Sequence, residues 1–225
     1  MRFKRRSDEA DEAATEAVGE TGEPAPEEAP GEAAAPPSRP ASTGPRDVAE
    51  AAELVDAENV VDLGSLLVPL GDGMDLRLQV DEESGQVLAA LVVGEEGLLE
   101  VRAFAAPRNG DLWGDVRQQI AAETAQHGGT SEQRTGPLGP ELYCEVQVQV
   151  DDGSTGIQPS RIFGWNGPRW FLRGALLGRP AMEADQAGPW EDLFTRIAVR
   201  RGDEAMAPGD ALPLTLPPQA VRLAE

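Results

Sequence analysis

Arginine is the residue type best placed to do specific chemistry in this sequence. Arg161, Arg169 and Arg173 fall within one short, strongly aromatic stretch. A guanidinium presents a planar fork of donors that matches a carboxylate or a phosphate. The three arginines are therefore candidates for binding a small anionic group. The alternative is a solvated sheet face, where arginine stems cover Phe171 and the charges pair with carboxylates such as Glu145.

Other reactive residue types are scarce. His127 and Cys144 are the single histidine and the single cysteine, and the sole lysine, Lys4, lies near the N-terminus. These counts exclude an intramolecular disulfide and a Cys/His metal cluster. A phosphate-binding-loop lysine and a Schiff-base lysine are also absent from the expected folded part. We predict no catalytic residue, no metal and no cofactor.

Both single residues have a plain structural interpretation. His127 precedes two glycines at the end of a predicted helix, where a positive charge suits the helix dipole. Cys144 alternates with apolar residues on a predicted strand, which is typical of a small buried hydrophobic residue.

The overall charge bears on partners and on location. The 225 residues include 19 Lys and Arg against 40 Asp and Glu, a net charge of −21. Such a field repels a nucleic-acid backbone, so we predict no nucleic-acid partner. No apolar run approaches the ~20 residues of a membrane span. No apolar segment of a secretory signal follows the basic N-terminus, and the single cysteine fits a reducing compartment, so we predict a cytoplasmic protein.

The arginine-bearing stretch from 161 to 178 predicts a central β-hairpin. Asn166-Gly167 is a typical hairpin turn, because both residues tolerate positive φ. Side chains alternate along a strand, so Trp170 and Leu172 are expected in the core. The same alternation places Arg169 and Arg173 together on the other face, with Arg161 nearby on the partner strand.

The rest of the chain predicts an antiparallel sheet with helices against it. Alternating apolar residues predict strands over 74–80, 99–104 and 142–150, and a nearly continuous apolar run predicts a strand over 86–93, with a last short strand over 197–200. Helical spacing and caps predict helices over 47–56, from a cap at Asn109 or Asp111 to His127, and from Pro189 onward, whereas 60–70 reads as extended and 128–140 as a loop. The predicted fold class is α+β, with about six to seven antiparallel strands and two or three helices.

Composition also divides the chain. Residues 1–46 are acidic and rich in Ala, Glu and Pro, with few large apolar side chains, so we predict a disordered tail. Residues 47–217 are predicted to form a single globular domain. Residues 218–225 are predicted to be a short C-terminal tail.

Several motifs in a fixed order carry a family resemblance. They are VDLGSLLVP (61–69), AFAAPR (103–108) followed by Trp113 and Arg117, GPLGPEL (136–142), GPRWFLRG (167–174) and VRRGDEAMAPGDALPLTLP (199–217). Together they resemble an uncharacterised actinobacterial family, a domain of unknown function. The order of elements is also similar to PsbP-like folds, an antiparallel sheet flanked by helices. The resemblance implies a fold and no activity.

Three functions remain open on the sequence. The first is a non-catalytic interaction or scaffold module with a protein partner. The second is a small-ligand protein that binds an anion on the arginine face of the hairpin. The third is an enzyme of unknown class, although the sequence contains no catalytic motif that supports it.

Overall fold

The computed structural model describes residues 44–149, 153–218 and 220, and it has an α+β fold. The strands are β1 (Arg46–Asp47), β2 (Val60–Asp62), β3 (Leu66–Pro69), β4 (Asp75–Val80), β5 (Val87–Val93), β6 (Gly97–Ala105), β7 (Thr130–Gly136), β8 (Gly139–Gln149), β9 (Thr155–Gly167), β10 (Trp170–Gly178) and β11 (Ala198–Val199). The helices are α1 (Leu112–Gln126), α2 (Arg179–Met182) and α3 (Gly188–Arg196). The two predicted tails lie outside the described residues, except for residues 44–46, 218 and 220.

A seven-stranded antiparallel sheet is the centre of the fold. Its strand order is β4-β5-β6-β10-β9-β8-β7, so the predicted hairpin β9–β10 occupies the middle. The strands predicted from apolar patterns, β4, β5, β6 and β8, are all confirmed as strands of this sheet. Neighbouring strands along the chain mostly pair directly, as short connections require.

The hairpin turn lies two residues later than predicted. Trp170 pairs with Gly167, so Pro168 and Arg169 form the turn and Asn166 remains in the ladder opposite Phe171. Proline favours the first central position of a two-residue turn, because its ring sets φ near −65°. Asn166 is also held in place by its side chain, whose amide nitrogen lies 2.8 Å from an Asp111 carboxylate oxygen.

The main core fills one face of the large sheet. Trp170 and Leu172 of β10 are 1% and 0% exposed, which confirms their predicted burial. Helix α3 closes this side with its own apolar residues. Phe194 meets Phe163 edge to face, with ring centroids 5.0 Å apart.

Helix α1 covers the opposite face of the same sheet. Trp113 stacks on Phe171 with ring centroids 5.8 Å apart, and Phe171 is fully buried. Asp111 caps the helix by accepting a hydrogen bond from the Gly114 N–H, and Gly128 follows its end with φ 77°. The face that carries Arg173 is therefore packed against a helix, and the expectation of a solvated sheet face is wrong here.

A second, small sheet lies outside the sequence prediction. Its order is β1-β11-β3-β2, and β1 pairs with β11 in parallel although the two are far apart in sequence. The segment predicted as a helix over 47–56 instead forms two short 3-10 helices, Val48–Glu50 and Ala52–Leu54.

The segment from 128 to 140 is a second correction. It holds strand β7 and a tight turn into β8 rather than a loop. Residues 130–135 are all polar and all exposed, so the segment lacks the alternation of apolar residues that predicts a strand. Its strand conformation comes from backbone pairing with β8 at the sheet edge.

Among the described helices, none is both long and apolar enough to cross a membrane, and α1 with 15 residues is the longest of them.

Candidate functional site

Arg161 lies in the core and is fully paired. It is 7% exposed, and its Nε and Nη2 donate to the two carboxylate oxygens of Glu141 at 3.1 and 2.8 Å. Nη2 also donates to Glu191 of α3 at 2.7 Å. Burial works against its charge, but the hydrogen bonds and charges of the two carboxylates outweigh burial and raise the pKa of Arg161. This geometry is structural and offers a ligand no free donor fork.

Arg173 is also engaged, on the side of the sheet that α1 covers. Its Nη2 lies 3.0 Å from Glu100 Oε1, and its guanidinium sits 5.6 Å from the centre of the Phe104 ring. Burial lowers the pKa of Arg173, although the charge of Glu100 opposes this.

Arg161 and Arg173 lie on opposite faces of the sheet. In the ladder Arg161 is opposite Leu176, whereas Arg173 is opposite Gly164, and residues an odd number apart on one strand point to opposite sides. The predicted position of Arg161, close to the face that carries Arg173, is therefore wrong. That position depended on the strand register, and a shift of one residue exchanges the two faces of a strand.

Of the three candidate arginines, Arg169 is the one whose guanidinium has no partner among the described residues. It occupies the turn after Pro168 with φ 63°, the left-handed region that glycine or asparagine usually fills. A non-glycine residue held there costs about 1–3 kcal/mol. Its guanidinium forms no hydrogen bond or ion pair with any residue that the structure describes.

A cavity of about 480 Å³ opens beside this turn. Three segments that are distant in sequence form its walls: residues 47–49, the Pro168–Arg169 turn and residues 200–203. The small sheet brings the first and third together, because β1 pairs with β11 and residues 200–203 follow β11 directly. The volume lies within the range of about 300–1,000 Å³ of small-molecule sites.

Two further arginines line this cavity and differ in their pairing. Arg200 forms a two-pronged ion pair with Asp62, with both N–O distances 3.0 Å. That hydrogen bonding lowers the pKa of Asp62. Arg201 donates from Nε to the Arg169 carbonyl oxygen and from Nη1 to the Glu204 carbonyl oxygen, both at 3.1 Å. Arg201 thus has neutral partners, and its charge is not cancelled by a carboxylate among the described residues.

Two carboxylates share the lining with these cations. Asp47 is turned towards the protein, because one oxygen accepts the Ala49 N–H and the other accepts the Trp170 indole N–H at 3.2 Å. Asp203 is exposed and lies at the rim. The donors left for a ligand are therefore those of Arg169, together with the unused N–H groups of Arg201.

The single histidine and the single cysteine both lie outside this cavity lining. His127 Nδ1 is 2.8 Å from the Glu123 carbonyl oxygen at the end of α1, on an exposed surface. Cys144 is 2% exposed beneath α1, where burial raises the pKa of its thiol. Both positions agree with their structural interpretations.

Sequence reasoning singled out Arg169 but missed Arg200 and Arg201. The available signal was the dipeptide Arg200-Arg201, which lies at the end of the strand predicted over 197–200. That signal could not have placed them beside Arg169, because their proximity arises from the small sheet.

Comparison with known proteins agrees with the resemblance in the motifs. A family model described as "Protein of unknown function (DUF3710)" matches residues 44–222. The chain belongs to this family. The predicted resemblance to a domain of unknown function is thus confirmed, while an actinobacterial source stays a prediction.

Structural similarity is more distant. The solution structure of cyanobacterial PsbP (CyanoP) from Synechocystis sp. PCC 6803 matches with a TM-score of 0.38 and 11% identity, over 64% of this chain and 95% of that one. No curated protein matches the sequence.

Proposed function

We propose that this member of the family is a non-catalytic binding module, and that its cavity beside the Pro168–Arg169 turn receives a small anionic group, a carboxylate or a phosphate. The observation that carries the proposal is Arg169 itself. Its backbone is held in the left-handed region at the edge of a cavity, and its charge has no partner among the described residues. Strained residues persist where the surrounding structure enforces them, and they cluster at binding sites.

Charge supports the same proposal. In a chain with a net charge of −21, three arginines are gathered around one cavity, and only Arg200 among them has a carboxylate partner within the described residues. Gathering cations without counter-charges is unfavourable unless something compensates them. A bound anion would supply that compensation through charge-assisted hydrogen bonds from Arg169 and Arg201.

Binding rather than catalysis is favoured by the residue types around the cavity. Arg, Asp, Pro, Gly, Ala and Val form the described lining. The described lining therefore contains no Ser or Cys nucleophile with a His beside it as a base. We also propose a cytoplasmic location, because the single cysteine fits a reducing compartment.

A thermal-shift titration of the full chain tests the proposal. Phosphate, citrate and succinate would be compared at constant ionic strength with sodium chloride as the balancing salt. At ten times its Kd, a ligand that binds only the folded state stabilises it by about 1.4 kcal/mol. That corresponds to a rise in Tm of about 3–6 °C for a protein of this size.

Matched arginine variants make the titration specific. Arg169→Gln should abolish the anion-dependent shift, and Arg201→Gln should reduce it. Arg77→Gln is the control, because Arg77 is exposed on β4 and has no hydrogen bond or ion pair with a described residue. The control is needed because any salt screens the self-repulsion of so acidic a chain. Equal shifts in Arg169→Gln and Arg77→Gln would refute the proposed site.

A further inference from the structure

Strand β7 forms one edge of the large sheet and is unusually open. Within the described part of the chain it pairs only with β8, so half of its backbone N–H and C=O groups face away from the sheet. Residues 130–135 are all exposed. Such an edge can accept a further strand through main-chain hydrogen bonds.

The side chains of β7 are complementary to themselves when the strand is reversed. Antiparallel pairing of two copies centred on Gln133 places Glu132 of one copy opposite Arg134 of the other, and Arg134 opposite Glu132. Ser131 then lies opposite Thr135. In this register each facing pair joins two odd-numbered or two even-numbered residues. The backbone N–H and C=O groups that point away from β8 in one copy therefore face the corresponding groups of the other copy.

The charged pair is already arranged on one face of the edge. Arg134 Nη2 lies 2.7 Å from Glu132 Oε2 within the strand, and the two side chains are 42% and 64% exposed. The Arg134 guanidinium also stacks on the ring of Tyr143, 3.9 Å from its centre, which limits its orientations. An exposed pair of this kind contributes little within one chain, so exchanging the two intrachain pairs of two copies for two interchain pairs costs little.

We propose that two copies of this chain associate through antiparallel pairing of β7 about Gln133, joining their seven-stranded sheets into one. The charge pattern favours a second copy over an unrelated strand. Two chains of net charge −21 repel each other as a whole, but in this register each Glu132 faces an Arg134, so the edge itself adds no contact between like charges. The contact involves one edge strand, so the association is weak and depends on concentration.

Sedimentation equilibrium of the full chain at about 0.15 M salt, where the repulsion between the two acidic chains is screened, and up to about 0.5 mM protein measures the association. Glu132→Arg and Arg134→Glu each place like charges opposite one another, and each should weaken the dimer by roughly tenfold or more. The double variant Glu132→Arg with Arg134→Glu restores opposite charges and should recover the dimer. Arg77→Glu, on the opposite edge strand β4, is the control and should leave the dimer unchanged. The unfolding midpoint of each variant shows whether the fold is kept.

A cross-link tests the register independently of affinity. Gln133→Cys faces its own copy across the two-fold axis and should form a disulfide-linked dimer under mild oxidation. Ser131→Cys faces Thr135 instead and should not, and the native Cys144 is buried. A chain that stays monomeric up to the highest concentration would overturn the proposal. So would a dimer that ignores the charge variants, or one in which Ser131→Cys cross-links as readily as Gln133→Cys.

Discussion

Removing Arg161 is the sharpest test of how the core of this fold is held together. The Arg161→Met change keeps much of the side-chain volume and deletes the charge that two carboxylates share. Glu141 and Glu191 are then left with side chains only 6% and 12% exposed and no cation between them. Breaking a buried ion pair by removing one partner costs about 3–5 kcal/mol, and two orphaned carboxylates place this case at the upper end.

Urea denaturation followed by tryptophan fluorescence at neutral pH measures the loss of stability. Arg77→Met is the matched control, and as an exposed arginine without a described partner it should change stability by less than about 0.5 kcal/mol. A triple variant with Arg161→Met, Glu141→Leu and Glu191→Leu should recover most of the loss, because an apolar replacement of a buried ionic group is often neutral or better. A loss below about 1 kcal/mol for Arg161→Met would refute this account.

Three further predictions concern residues in different parts of the fold. Trp170→Ala should cost about 3–5 kcal/mol in urea denaturation, because it empties a site that is 1% exposed and removes the hydrogen bond to Asp47; a cost under about 1 kcal/mol would contradict its place in the core. Arg169→Gly should leave stability unchanged or raise it by up to about 1 kcal/mol, because it relieves the positive φ, and it should still abolish the anion-dependent rise in Tm; clear destabilisation would show that the arginine serves the fold. Cys144 should react with a thiol reagent only as fast as the protein opens, because the thiol is buried and its pKa is raised; rapid labelling of the native chain at about pH 8 would disprove this.

Much of the fold could be predicted from short-range patterns. Alternation along 74–80 and 142–150 predicted strands, and the structure shows them as β4 and β8. The two candidate caps, Asn109 and Asp111, and the glycines after His127 bounded α1 to within a few residues, and the structure has Asp111 as the cap. These signals are local, since side-chain alternation and capping depend only on residues a few positions apart.

Local signals failed where the partner was distant or apolar residues were lacking. Strand β7 has no alternation of its own, and its conformation depends on the ladder with β8. The turn of the central hairpin lies at Pro168–Arg169 and not at Asn166-Gly167. The Asn166 side chain forms hydrogen bonds with Asp111 and Trp113 at the start of α1, which hold Asn166 in the strand.

The sequence by itself determined the α+β class, the central hairpin, the burial of Trp170 and Leu172 and the scarcity of catalytic residue types. Only the tertiary structure decided which arginines share a site. Strand register sent Arg161 into the core and Arg173 beneath α1, and pairing of β1 with β11 brought residues 47–49 beside 200–203. The first of these depends on the register of a hairpin, which alternation alone does not fix. The second depends on contacts between segments more than a hundred residues apart, which no local pattern specifies.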